Sequence, residues 1–328
     1  MRVGIIDCGT NTVRLLVADV VMGDDGPALR DVVRTLRFVR LGQGVDATHR
    51  FNPEALARTF AALDEYAALI AANGPLDALR FLATSAARDA ENREEFIDGV
   101  TSRLGVVPEV ISGDEEARLS FLGAQSAFAP VDLRRPEPSP GGGASPNQVT
   151  LVMDIGGGST ELIRGCGGEV QVEHSFDIGS VRLRERLLVG DPPTAAQIDD
   201  ARALVLAKLA DGPVPLDGVG AFIGVAGTCT SLSAMNMALT SYDPMCVDRS
   251  VLQPDEISGL AQRLLAMTVA DVQAQYPILE PMRAEVICAG ALICDLVASQ
   301  VGLPMLVRET DILDGAAIGV AKALVAQR

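Results

Sequence analysis

Two short turns in the chain carry residue types that can bind phosphate and a divalent cation. Each turn follows an apolar strand that ends in an aspartate, Asp7 in the first turn and Asp154 in the second. The small residues that follow are Gly9, Thr10, Asn11 and Thr12 in the first turn, and Gly156, Gly157, Gly158 and Ser159 in the second. Main-chain N–H groups in such turns can converge on an anion, and the aspartate supplies a hard oxygen ligand for Mg²⁺.

The two turns are related by a constant offset along the chain. Sliding the sequence by 147 residues places Asp7 on Asp154 and Thr12 on Ser159. Either turn alone is explained equally by an ordinary hairpin, because Asp, Gly, Asn and Thr are common turn formers. Repetition of the whole pattern favours a duplicated domain with one phosphate-binding turn in each copy.

A second carboxylate follows the second turn. Glu161 lies seven residues after Asp154. If one strand ends at 154 and the next begins at 161, both carboxylates flank the same turn. Because Mg²⁺ retains several waters and takes only one or two protein carboxylates, this spacing predicts a magnesium site, to which Asp7 can add an oxygen.

Arg88 lies between a predicted strand and a predicted helix, in the segment ATSAARDAEN at 83–92. Binding residues of open α/β sheets occupy such junctions, so Arg88 can bind phosphate. An ion pair with Asp89, Glu91 or Asp114 explains this arginine equally well.

Two further junctions have both a functional and a structural explanation. Glu116 lies in ISGDEEAR at 111–118, where acidic residues at a helix start complement the helix dipole without any catalytic role. Gly227 and Thr228 can place a phosphate at a helix N-terminus, or simply form an ordinary α/β turn.

Hydrophobic periodicity predicts alternating strands and helices in both halves. In the first half we expect strands at 3–6, 13–21, 30–41, 78–83 and 106–111, and helices at 53–72, 91–104 and 114–127. In the second half we expect strands at 160–165, 169–177, 219–225 and 304–307, and helices at 179–189, 194–210, 228–239, 254–266, 281–300 and 312–326. This order predicts an α/β fold with helical crossovers.

A segment rich in Pro, Gly and Ser separates the halves. We therefore predict a first domain at 1–128, a linker or insertion at 129–148 and a second domain at 149–328, whose last helix can pack back toward the first. Two domains imply a cleft between them.

Composition narrows the classes of partner and compartment. The net charge of −16 opposes binding to nucleic acid or an anionic membrane, so a phosphate site must be locally basic. Six cysteines without paired spacing and two histidines make zinc and disulfides poor expectations. With no apolar run long enough for a bilayer and no secretory pattern at the start, we expect a cytoplasmic protein.

These motifs, in this order and spacing, resemble the exopolyphosphatase and guanosine pentaphosphate phosphohydrolase family, which is related to actin, sugar kinases and heat-shock ATPases. DIGGGSTE at 154–161 together with ISGDEEAR is the most specific part of a match that extends over almost the whole chain. The resemblance implies two duplicated actin-like (ribonuclease H-like) domains with an interdomain cleft.

The resemblance also assigns roles. Glu116 falls at the family's catalytic glutamate, which aligns and deprotonates the attacking water, and this reverses the local explanation of that residue. Arg88 falls at a phosphate-binding arginine, and Asp154 and Glu161 fall at the acids that bind Mg²⁺. The two turns, with Gly227 and Thr228, would bind the phosphates.

The activity implied is removal of the terminal phosphate of inorganic polyphosphate. The chain ends soon after the second domain, so we expect short polyphosphates to be preferred. Alternatives are a guanosine pentaphosphate 5′-phosphohydrolase, a non-catalytic sensor of guanosine tetraphosphate and a sugar kinase. The retained Glu116 argues against the sensor, and ISGDEEAR favours water over a sugar as the acceptor. The resemblance also implies a homodimer.

Overall fold

The computed structural model describes residues 1–23, 26–126 and 148–327. Within these ranges, residues up to 126 form one unit together with those from 310 onward, and residues 148–309 form the other. The final helix, counted with the second domain in the sequence-based division, therefore belongs to the first unit. The predicted linker lies outside the described residues except for Gln148.

The first unit is built on one five-stranded sheet with the strand order β3-β2-β1-β4-β5. Its strands are β1 (Arg2–Cys8), β2 (Thr12–Gly23), β3 (Gly26–Phe38), β4 (Ala78–Ala83) and β5 (Glu109–Val110). Its helices are α1 (Val45–Thr48), α2 (Pro53–Ala72), α3 (Ser85–Asp89), α4 (Arg93–Leu104), α5 (Gly113–Ser126) and α14 (Ile312–Ala326). Strands β1, β2 and β3 pair antiparallel, whereas β1, β4 and β5 pair parallel.

The second unit is built on a six-stranded sheet. Its strands are β6 (Thr150–Ile155), β7 (Thr160–Cys166), β8 (Glu169–Phe176), β9 (Ala221–Val225), β10 (Val251–Leu252) and β11 (Met305–Val307). Its helices are α6 (Ser180–Arg186), α7 (Ala195–Asp211), α8 (Ala226–Asn236), α9 (Pro244–Val247), α10 (Pro254–Leu265), α11 (Val269–Gln275), α12 (Pro281–Ala284) and α13 (Ile287–Val301). Within the described ranges no helix combines the length and apolar character that crossing a bilayer requires.

The two sheets repeat one topology. The order β3-β2-β1-β4-β5 in the first unit corresponds to β8-β7-β6-β9-β11 in the second, with β10 added antiparallel at the edge. In both, an antiparallel hairpin is followed by a strand that pairs parallel with its first strand, β4 with β1 and β9 with β6, and a further parallel strand, β5 or β11, then pairs with that one. The predicted α/β fold with a duplicated domain is confirmed.

Helix α2 illustrates how local signals fix an element. The side chain of Asn52 caps its start by accepting a hydrogen bond from the main-chain N–H of Glu54, and Pro53 occupies the first turn, where no donor is needed. Leu56 and Leu63 recur at helical spacing and are buried against the sheet. Each contributes roughly 1.5–3 kcal/mol by leaving water.

Strand alternation sorts the residues of β1 onto two faces of the first sheet. Ile6 packs in the apolar cluster that includes residues of α2 and α4. Val3 and Ile5 pack in the opposite cluster, with Ile312 and Leu313 of α14. By the same alternation Asp7 shares the face of Val3 and Ile5, which is the face covered by α14.

Several elements differ from the sequence prediction, which omits the short elements α1, α9, α11 and β10. Helix α3 was not predicted, because five residues are too few to show a helical period. Strand β5 has two paired residues rather than six. The helix predicted over 281–300 is interrupted between α12 and α13, where the main-chain carbonyl of Glu285 accepts a hydrogen bond from Arg184 Nε at 3.0 Å.

Candidate active site

The first turn is held by its own main chain and by the segment that follows β3. The N–H of Gly9 donates to the carbonyl of Thr12 at 2.9 Å. The carbonyl of Asn11 accepts from the N–H groups of Val39 and Arg40 at 3.0 and 2.9 Å. The turn therefore has a fixed shape before any ligand arrives.

Buried polar atoms in this turn are left without partners. Asp7 Oδ2 accepts hydrogen bonds from Arg14 Nη2 at 2.6 Å and Arg14 Nε at 3.0 Å. Asp7 Oδ1 and both polar side-chain atoms of Asn11 have no partner among the described residues, although Asp7 and Asn11 are each only 4% exposed. Native proteins satisfy most buried polar groups, so these atoms call for a partner, such as a bound water or ligand, that the described residues do not supply.

Two further features of the same turn bear on its ability to bind an anion. No main-chain acceptor in the described ranges takes a hydrogen bond from the N–H groups of Thr10 or Asn11. Burial raises the pKa of the Asp7 carboxyl above its ordinary value, and the guanidinium of Arg14 opposes that rise. The turn thus offers free donors beside a carboxylate whose charge is partly compensated.

Arg88 and Glu116 form an ion pair in the first unit. Arg88 Nη1, on α3, lies 2.9 Å from Glu116 Oε2 in the first turn of α5, and it also donates to the carbonyl of Ile111 at 3.0 Å. Glu116 is thus the carboxylate that pairs with Arg88 here, rather than Asp89, Glu91 or Asp114. The structure brings the predicted base and the predicted phosphate-binding arginine together.

The neighbouring acid has a different environment. Glu115 pairs with Arg80 at 2.7 Å, and its side chain is 45% exposed. The side chain of Glu116 is 13% exposed. Adjacent glutamates of α5 are therefore distinguished by burial and partner, and only Glu116 contacts Arg88.

The second turn repeats the first. The N–H of Gly156 donates to the carbonyl of Ser159 at 3.0 Å, the equivalent of the bond that closes the first turn. The carbonyl of Gly157 accepts from the first turn of α6, and a Cβ at Gly179 would lie only 2.4 Å from that oxygen. Among the described residues, no main-chain acceptor takes a hydrogen bond from the N–H of Gly157 or Gly158.

Asp154 and Glu161 are directly opposite each other on β6 and β7. Residues paired in this way have Cβ atoms about 4.5–5.5 Å apart and point to the same face. They are 6% and 1% exposed, and Glu161 Oε1 accepts a hydrogen bond from the Ser175 hydroxyl at 2.7 Å. Two like charges so placed repel unless a cation or proton compensates them.

This pair fits the predicted magnesium ion. Two buried carboxylates match the number of protein carboxylates that Mg²⁺ usually takes. The described residues contain no group of three or more His, Cys, Asp or Glu side chains that could enclose a metal. A site supplied mainly by Asp154 and Glu161 is consistent with both observations.

Gly227 and Thr228 lie in the first turn of α8, directly after β9. The Thr228 hydroxyl is fully buried and donates to the carbonyl of Ile155, the last residue of β6, at 3.3 Å. Thr228 therefore contacts the strand that leads into the second turn. Ala226, the residue between β9 and Gly227, has a φ of 63°, which is unusual for a residue with a side chain.

Arg283 is a residue that the sequence analysis did not select. A Cβ at Gly227 would lie 2.2 Å from Arg283 Nη2, so only glycine lets this guanidinium lie against the start of α8. The arginine precedes α13 and is separated from Gly227 by 56 residues. No local pattern marks it, because the contact is created by the fold.

Comparisons with known proteins identify the family. A model of the Ppx/GppA phosphatase family matches residues 16–135 and 142–301. Exopolyphosphatase 2 of Mycobacterium tuberculosis is 42% identical over 332 residues, which cover 98% of this chain and 98% of that protein.

Two solved structures are also similar to this chain over nearly their whole length. The crystal structure of an exopolyphosphatase-like protein is 40% identical with a TM-score of 0.86, covering 99% of this chain and 100% of its own. The Aquifex aeolicus member of the Ppx/GppA family is 28% identical with a TM-score of 0.78, covering 98% of each chain. The resemblance carried by DIGGGSTE and ISGDEEAR is confirmed, and the chain belongs to the Ppx/GppA phosphatase family.

Proposed function

We propose that this chain is an exopolyphosphatase, which hydrolyses the terminal phosphoanhydride bond of inorganic polyphosphate and releases orthophosphate. The observation that carries the proposal is the repeated turn, in which unpaired main-chain N–H groups follow a buried aspartate. Such turns bind phosphate oxygens without requiring side-chain charge. The name of the Mycobacterium tuberculosis relative supports the same substrate class.

Glu116 is the group we assign to proton transfer. A water that attacks a phosphorus atom must be oriented and must lose a proton, and a positioned carboxylate does both. The contact with Arg88 fixes the orientation of Glu116 in the absence of substrate. Arg88 is also able to offset the negative charge of the phosphoryl group as it is transferred.

Asp154 and Glu161 would hold Mg²⁺ in the second unit. The ion, when bound, neutralises phosphate charge and orients the leaving oxygen. The main-chain N–H groups of Gly157 and Gly158 would bind phosphate oxygens. Phosphoryl transfer asks chiefly for such positioning and charge stabilisation.

A polyanion needs local positive charge to approach a chain with a net charge of −16. Arg283 supplies a guanidinium against the N-terminal turn of α8, where the helix dipole adds to its effect. We therefore assign Arg283 to substrate binding, together with Gly227 and Thr228.

A phosphate-release assay tests the proposal. The wild-type protein is compared on short polyphosphate, long polyphosphate, guanosine pentaphosphate and ATP, with and without Mg²⁺. Release from polyphosphate with Mg²⁺ is expected, and the two chain lengths test the predicted preference for short chains. Release from guanosine pentaphosphate alone would replace the proposal with the 5′-phosphohydrolase. Binding of guanosine tetraphosphate without any hydrolysis would replace it with the sensor.

We further propose that the protein works in the cytoplasm as a homodimer, as the family resemblance implies. Size-exclusion chromatography with light scattering gives the molar mass directly. A mass of twice 34.3 kDa is expected, and a mass of 34.3 kDa at micromolar concentration would contradict the dimer.

A further inference from the structure

Arg14 joins the first turn to the start of α14. It lies directly opposite Asp7 in the register of β1 and β2. Its Nε and Nη2 atoms both donate to Asp7 Oδ2, and its Nη1 atom donates to Asp311 Oδ2. The side chains of Arg14, Asp7 and Asp311 are 18%, 6% and 8% exposed. One guanidinium therefore connects two buried carboxylates.

Asp311 is fixed independently of Arg14. Its Oδ1 atom accepts a hydrogen bond from the N–H of Leu313 at 3.0 Å and caps α14. Its own N–H donates to Asp314 Oδ2 at 2.9 Å, which completes a capping box. A Cβ at Gly123 of α5 would lie 1.7 Å from the main-chain oxygen of Asp311, so the two backbones are in direct contact. The far end of the connection is rigid.

The consequence concerns the orientation of the Asp7 carboxylate. Two donors from one arginine occupy Oδ2, and Oδ1 has no partner in the described part of the chain. We propose that Arg14, held by Asp311, is a positioning residue that keeps Asp7 Oδ1 oriented to accept a hydrogen bond from a water molecule bound at the first turn beside the phosphate. The inference rests on the proposed phosphohydrolase function, because that function requires a substrate bound at the first turn, next to this oxygen.

A purely structural explanation would have Arg14 simply anchor α14 to the sheet. A second pair already provides such an anchor, because Arg34 on β3 binds Asp314 with an Nη2–Oδ1 distance of 2.6 Å. Among the described residues the carboxylate partners of Arg34 are Asp314 and Asp31, and Asp7 is not one of them. Buried ion pairs are also weak sources of net stability. The contact with Asp7 is what distinguishes Arg14 from Arg34.

Three variants separate positioning from anchoring. Arg14→Gln is expected to lower kcat about 10–100-fold, the range seen when a group that orients a ligand-binding residue is lost, with KM changed less than about twofold. Arg14→Lys restores charge without the two-pronged contact and is expected to recover part of the loss. Arg34→Gln is the matched control, with a comparable fall in melting temperature and kcat within about twofold of wild type. Equal kcat values for Arg14→Gln and Arg34→Gln would overturn the inference.

Crystal structures of Arg14→Gln and Arg34→Gln provide a readout that does not depend on activity. The Asp7 carboxylate is expected to reorient in the first and to keep its position in the second. An unchanged Asp7 in Arg14→Gln would overturn the inference even if the protein hydrolyses polyphosphate. Failure of wild-type protein to hydrolyse polyphosphate would instead count against the proposed function.

Discussion

The two turns share a backbone and differ in charge at one paired position. Each has an aspartate at the end of its first strand, and the same main-chain hydrogen bond closes both. The residue opposite the aspartate is Arg14 in the first unit and Glu161 in the second. The first aspartate therefore has an internal counter-ion, whereas the second faces another carboxylate.

This difference gives the two copies of the turn different local electrostatics. The guanidinium opposite Asp7 offsets part of the negative charge beside the first turn, an environment suited to the phosphate that we propose binds there. A carboxylate opposite Asp154 concentrates negative charge and favours a divalent cation. The two hairpins therefore differ in charge at this one paired position, while both keep the main-chain N–H groups that we propose bind phosphate.

The largest effect is expected at Glu116, the residue of the first unit that we propose accepts the proton. Glu116→Gln should fold normally and lose about 10²–10⁴-fold in kcat, because the amide cannot accept a proton from water. Glu115→Gln, which removes only the contact with Arg80, is the matched control and should remain active. Phosphate release at fixed times measures the activity of both variants. An active Glu116→Gln together with an inactive Glu115→Gln would show that the base is Glu115 and that our assignment is wrong.

The next test gives Asp154 the same kind of partner that Asp7 has in the first unit. Glu161→Arg places a guanidinium opposite Asp154, as Arg14 is opposite Asp7, and should remove Mg²⁺ activation with about a 10²–10³-fold loss of rate, equal to several kcal/mol of transition-state stabilisation. Glu169→Arg, at an exposed position of β8, controls for added charge. Titration of activity with Mg²⁺ gives the answer. If Glu161→Arg leaves the half-saturating Mg²⁺ concentration unchanged, Glu161 is not a ligand of the metal.

A smaller effect is expected at Asn11, which the 147-residue offset places on Gly158. Asn11→Ala makes the first turn resemble the second by removing a buried amide that has no partner among the described residues. Loss of one hydrogen bond to substrate should raise KM about tenfold. Stability should be unchanged or higher, because an unsatisfied group is removed. A lower melting temperature with unchanged KM would show that the amide serves the fold.

The smallest effect is expected at the junction after β9. Ala226 has a φ of 63°, whereas Thr84, at the matching junction after β4, has a φ of −111°. The left-handed conformation costs a residue with a Cβ about 1–2 kcal/mol. Glycine avoids this cost but loses more conformational entropy on folding, which destabilises the folded state by roughly 0.5–1 kcal/mol. Ala226→Gly should therefore raise the free energy of unfolding by about 0.5 kcal/mol in a denaturant titration. Destabilisation by more than 1 kcal/mol would contradict this account.

Features fixed by neighbouring residues could be predicted from the sequence. The start of α2 at Asn52-Pro53 and its end before Asn73 follow from caps and periodicity, and both are confirmed. The offset between Asp7 and Asp154 predicted the duplication, which the shared strand order confirms. The family followed from motifs that are themselves local.

Features created by distant contacts could not be predicted. Arg14 and Asp311 are 297 residues apart, and no local signal connects them. Glu116 and Arg88 were both selected, but their contact depends on how α3 and α5 leave the sheet. Their chemical roles, and those of the metal-binding acids, stay predictions.

The placement of α14 has a consequence for synthesis of the protein. One face of the first sheet, with Val3, Ile5 and Leu16, is covered by Ile312 and Leu313. Those residues leave the ribosome only after the whole second unit has been translated. The second unit can therefore finish folding before α14 is available to complete the first unit. Until then the apolar face of the first sheet stays uncovered, and a nascent chain with such a face is a substrate for chaperones.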